Sequence, residues 1–64
     1  MRRSVYALDP VTGTAIASLP AAVIMGWTAL SDDEIIRFTK PEFVTLHMLS
    51  QEDLARARFE VRDS

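Results

Sequence analysis

The chain has 64 residues, with 7 Lys plus Arg, 9 Asp plus Glu, one His, no Cys and 48% apolar residues. That length holds one small domain, and a chain so rich in apolar side chains can collapse, which excludes disorder as the default. Zero cysteines exclude a disulfide scaffold and a thiolate zinc site, and a formal charge of −2 gives no general attraction to nucleic acid or an anionic membrane.

Residues 4–8 form a short β-rich run containing Val5 and Tyr6, and residues 14–19 form another. Between them lies Asp9-Pro10-Val11-Thr12-Gly13. Asp accepts backbone hydrogen bonds at the start of a turn, Pro pre-sets φ at the next position, and Gly takes the φ > 0 site where the chain returns. A hairpin is expected. Residues 5–13 also resemble the outer hairpin of quinoprotein-type β-propeller blades. A propeller needs several blades of four strands, so the resemblance implies the hairpin geometry and no function.

The uncharged stretch 10–31 contains an apolar part, residues 15–30, interrupted by Ser18, Pro20, Gly26 and Thr28. A spanning helix needs about 20 predominantly apolar residues, so a buried segment is expected here and no membrane span. Met1-Arg2-Arg3 imitates the start of a signal peptide, but Asp9 and Pro10 precede any apolar stretch. A cytoplasmic location is the default expectation. Ser18 and Pro20 suit a helix start, and Val23, Ile24, Trp27 and Leu30 fall on one helical face. The consecutive run of residues 21–25 also fits a buried strand, and Gly26 weakens the helix.

Ser31-Asp32-Asp33-Glu34 is a capping box that opens a short helix carrying Ile35, Ile36 and Phe38. Pro41 predicts its end near Lys40. Residues 43–49 alternate Val44, Leu46 and Met48 against Phe43, Thr45, His47 and Leu49, and read as a strand of the right length before a fresh start signal at Ser50. Thr39-x-x-Glu42 with Pro41 gives a competing capping box for a helix. From Ser50-x-x-Asp53 a final helix follows, with Leu54, Ala57 and Val61 on one face. The expected fold class is α+β: a small antiparallel sheet, made of the N-terminal hairpin and one further strand, packed with two or three short helices.

Little in the chain points to chemistry. His47 is the only imidazole and has no nucleophile or carboxylate pattern around it, so it reads as a half-buried structural residue. Neither a metal site nor a cofactor is expected, because the carboxylates lack ligand spacing and the two glycines form no phosphate loop. An enzyme is not expected. Asp32, Asp33 and Glu34 could face a basic partner, although the helix dipole alone favours acids in a first turn. Arg56, Arg58 and Arg62 are interleaved with Glu52, Asp53, Glu60 and Asp63, which makes a solvated face the plainer reading.

Residues 42–56 are similar to a bacterial helix-turn-helix unit, with Leu49-Ser50-Gln51 at the turn and Leu54 packed inward. That resemblance implies a small DNA-binding regulator using residues 42–58. The sequence departs from the pattern twice: Met48 stands at the usual glycine of the turn, and Glu52 and Asp53 open the would-be recognition helix.

Of 31 apolar residues, 8 are Ala, which leaves 23 larger side chains for a core. A chain this short buries only about 60% of the surface its unfolded form exposes, so a partner is the natural support. The leading expectation is therefore a non-enzymatic protein-binding module, of the size of a stand-alone bacterial or phage inhibitor or accessory factor, with nucleic acid an improbable ligand. A homodimer is expected, joined through an open edge at residues 4–8 or 43–49. Tyr6, Trp27, Asp32, Asp33 and Glu34 are the candidate interface residues.

Overall fold

A computed structural model describes residues 2–63. Strand β1 (Arg3–Leu8) and strand β2 (Ala15–Pro20) form the hairpin, and two single 3-10 turns follow at Ala21–Val23 and Trp27–Ala29. Helices α1 (Asp32–Thr45) and α2 (Gln51–Arg56) come next, and strand β3 (Arg58–Asp63) closes the chain. The three strands make one antiparallel sheet in the order β2-β1-β3, so an α+β architecture holds.

Local chemistry fixes the hairpin. The Asp9 carboxylate accepts hydrogen bonds from the backbone N–H of Val11 at 2.8 Å and of Thr12 at 3.1 Å. Gly13 N–H donates back to the Asp9 carbonyl at 2.8 Å, and Gly13 itself adopts φ +74°. The strands register Val5 with Leu19 and Ala7 with Ala17, then slip so that Leu8 faces Ala15 and Ile16 is the extra residue.

The third strand is β3 and not residues 43–49. Phe59 pairs with Ala7 and Val61 with Val5, which brings both apolar side chains to the core face and leaves Arg58, Glu60 and Arg62 on the other. The final helix accordingly stops at Arg56 instead of reaching Val61. Its start is as expected: the Ser50 hydroxyl accepts from Asp53 N–H at 3.1 Å.

Helix α1 runs through Pro41 to Thr45, five residues past the expected stop at Lys40. Ile35, Thr39 and Phe43 recur at intervals of four and are fully buried, so the core extends the helix. Pro41 lies on the exposed side, where the Arg37 carbonyl that loses its N–H partner can meet water. The capping box at the start forms in full, with Glu34 N–H donating to the Ser31 hydroxyl at 3.3 Å and Ser31 N–H donating to the Glu34 carboxylate at 3.0 Å.

The helix ends in a Schellman motif. Met48 N–H reaches the Phe43 carbonyl at 2.8 Å, and His47 N–H reaches the Val44 carbonyl at 3.0 Å. His47 takes the left-handed position, φ +59°, that glycine usually fills, and its side chain is exposed rather than half-buried. The helix expected within 20–30 is also absent. Pro20 ends β2, and Gly26, at φ +77°, separates two short 3-10 turns.

One face of the sheet carries the core. Val5, Ala7, Leu19, Ala21, Ile35, Phe43 and Leu49 form its buried centre, edged by Trp27, Leu54, Phe59 and Val61. The Phe43 and Phe59 rings meet at 5.7 Å between centroids, tilted by 54°, a geometry aromatic pairs favour.

Candidate protein-interaction site

The expected interface residues fall into three places. Tyr6 points to the sheet face opposite the core, with Ser18 and Glu60 as its cross-strand neighbours. The Arg62 guanidinium lies 5.1 Å from the Tyr6 ring centroid and pairs with Glu60 at 2.9 Å. That contact lowers the Glu60 pKa and raises that of Arg62, first through the hydrogen bond and then through charge. The outer face thus pairs Arg62 with Glu60 around one aromatic ring, with Arg58 as a further cation beside them.

Trp27 is half-buried and lines a cleft of about 430 Å³ with Arg2, Arg3, Ser4, Pro20 and Ala22. The cleft sits where β1 begins and β2 ends. Asp32 comes to the same neighbourhood through Arg3, whose Nη1 lies 3.4 Å from the Asp32 carboxylate and whose Nε lies 3.8 Å from Asp63. The structure therefore joins Trp27 and Asp32 but keeps Tyr6, Asp33 and Glu34 apart from them. Glu34 is committed to the cap, and the hydrogen bond from Ser31 N–H is the main reason its pKa is lowered. Asp33 is exposed in the same first turn.

The open edges are also elsewhere than expected. β1 is the central strand, paired on both sides, and residues 43–49 are not a strand. The edges are β2 and β3. β2 (Ala-Ile-Ala-Ser-Leu-Pro) carries no charge, whereas β3 (Arg-Phe-Glu-Val-Arg-Asp) carries four in six positions. Ile16 is half exposed (48%), and it shares a groove of about 170 Å³ with Val11 and Ala57 on its apolar side and Asp9, Asp53 and Arg56 on its charged side. The absence of charge across β2 was readable in the sequence; that β2 would be an edge was not.

Among the described residues no group of three or more His, Cys, Asp or Glu side chains could hold a metal ion. No helix there is long and apolar enough to cross a membrane. Compared with protein-family models, curated proteins and solved structures, the chain matches none.

Proposed function

We propose that the protein is a non-enzymatic protein-binding module that works by strand addition at the β2 edge, its occupant in the isolated protein being a second copy of the chain. The observation that carries this reading is the uncharged rim of β2. Its outward N–H and C=O groups have no strand beside them, and no Lys, Glu or inward charge blunts pairing. The bulge at Ile16 and Pro20 at the far end bound the segment available, so a short antiparallel contact centred near Ser18 fits a two-fold axis. Exposed Val11 and half-exposed Ile16 flank that edge and supply apolar area.

Core size supports the same reading. Among the described residues only eight apolar side chains are buried, two of them Ala, while Val11, Ile16, Met25, Phe38 and Leu46 stay substantially exposed. A domain this small gains from covering such groups. Helix α2 lends the DNA-binding alternative no comparable support, being six residues long, opening with Glu52 and Asp53, and leading directly into β3.

Sedimentation equilibrium at micromolar concentration tests the proposal. The expected mass is that of two chains, and Ser18→Lys should return one chain with an unchanged melting curve at low concentration, because Ser18 is exposed. A wild-type mass of one chain at every concentration would overturn it.

A further inference from the structure

We infer that the cleft between Arg2, Arg3 and Trp27 is a binding site for a carboxylate carried on an apolar or aromatic group. This site touches the β2 edge only at Pro20, the last residue of the strand, and does not depend on strand addition. Three features of the cleft argue for it together.

The first is shape. A cleft of about 430 Å³ has the size of a small-ligand pocket. One wall is the half-buried indole of Trp27, the single Trp of the chain, which packs on the core at one side and lines the cleft at the other. Such a flat apolar wall favours a planar or branched apolar group stacked on it.

The second is charge. Two arginines line the cleft, and they differ in how far their charges are already neutralised. Arg3 is held between Asp32 at 3.4 Å and Asp63 at 3.8 Å. Arg2 is exposed and has no carboxylate within ion-pair distance among the described residues. Arg presents its donors as a planar fork that matches a carboxylate in two parallel hydrogen bonds. Arg3 is offset by its two carboxylates, so among the described residues of the cleft Arg2 is the one cation left to meet a ligand, which suits a monoanion. A doubly charged phosphate would meet Asp32 and Asp63 at the same place, so the balance selects carboxylate.

The third is rigidity. Arg3, Ser4 and Pro20 stand on paired strands, with Ser4 registered against Pro20. Ala22 and Trp27 belong to the two 3-10 turns. Only Arg2 stands outside these elements, immediately before β1, so the sheet edge and the two turns hold the rest of the cleft and no long loop has to order to accept a ligand.

Trp27 makes the site directly observable through its fluorescence and its indole N–H resonance. Phenylacetate is the probe, phenylacetamide its uncharged isostere, and inorganic phosphate the competing anion. Phenylacetate should change the Trp27 signals saturably, with phenylacetamide and phosphate each at least tenfold weaker. A peptide ending in Phe with a free carboxylate should bind as well as or better than phenylacetate, and the same peptide amidated at its end should lose that binding. This pair distinguishes a protein C-terminus from a free small acid as the natural source. Arg2→Gln should weaken phenylacetate about tenfold, since it removes the free cation from an exposed position. Asp32→Asn should tighten it several-fold by releasing Arg3, an effect that a purely structural role for Asp32 would not produce. Equal binding of phenylacetate and phenylacetamide, or no saturable change up to millimolar phenylacetate, would overturn the assignment. Ser18→Lys leaves the cleft intact, so this titration reads the same whether or not the chain dimerises.

Discussion

β2 and β3 flank the same central strand, pair with it in the same antiparallel sense and are each six residues long. Their outer rims are nonetheless opposites. Along β3 the outward side chains Arg58, Glu60 and Arg62 stand in solvent, Glu60 and Arg62 are paired, and a strand laid beside them would have to desolvate those charges. Along β2 an incoming strand meets Ala15, Ile16 and Ser18 with no charge to desolvate, and only the bulge at Ile16 and Pro20 limit the length it can pair. The difference teaches that edge protection can be selective. One rim of this sheet carries charge and the other carries none, and the proposed strand addition rests on that asymmetry.

That contrast holds only while α1 pins the sheet, so the largest effect is expected from the residue that joins them. Phe43, on α1, is fully buried and packs its ring against Phe59 of β3. Phe43→Ala should cost about 3–5 kcal/mol and leave little folded protein. A thermal or urea melt measures it, and a loss below about 1 kcal/mol would show that the core is not organised around Phe43.

Gly13 governs how β2 is presented. A Cβ at Gly13 would meet nothing within 4 Å, so the cost of Gly13→Val is the backbone's alone at φ +74°. It should be about 1–2 kcal/mol. An unchanged melting midpoint would remove Gly13 from the left-handed region and with it the turn that aligns β2 against β1.

The opposite sign is expected at Thr39. Its hydroxyl is fully buried without a hydrogen-bond partner. Thr39→Val replaces it with a methyl of similar shape and should stabilise by about 1 kcal/mol in the same melt. Destabilisation by a similar amount would mean that the hydroxyl has a partner after all.

The smallest effect separates the two edges by pH. Backbone hydrogen bonds from Thr12 and Val11 lower the pKa of Asp9, Ser31 N–H lowers that of Glu34, and Arg62 lowers that of Glu60. Each folded-state pKa lies below its unfolded value, so the stability these groups contribute is present above about pH 4 and fades as pH falls through the lowered values. The β2 rim has no titratable side chain. Dimerisation should therefore be flat from about pH 5 to 8, while the melting midpoint falls only on further acidification. A dimer that weakens steadily across the neutral range would assign the contact to a charged surface.

The features legible in the sequence are those written in local side-chain to backbone bonds. Asp9 and Gly13 announce the hairpin, and Ser31 with Glu34 and Ser50 with Asp53 announce the two helix starts. Each is decided within a few residues. The errors arise where two periods coincide or where packing overrides a local signal. Leu54, Ala57 and Val61 mimic a helical face, yet Phe59 and Val61 also alternate with Arg58, Glu60 and Arg62, and pairing with β1 selects the alternation. Pro41 discourages a helix, but burying Phe43 outweighs one missing hydrogen bond. The cleft was half legible: Trp27 stands out by type, but only the fold brings it to Arg2 and Arg3.

Amide hydrogen exchange across a concentration series tests the selective edge most directly. Raising the concentration should slow exchange at the outward-facing amides of β2, strongest around Ser18, and leave those of β3 unchanged. Protection that is independent of concentration, or that grows along β3 instead, would contradict the claim that β2 is the pairing edge.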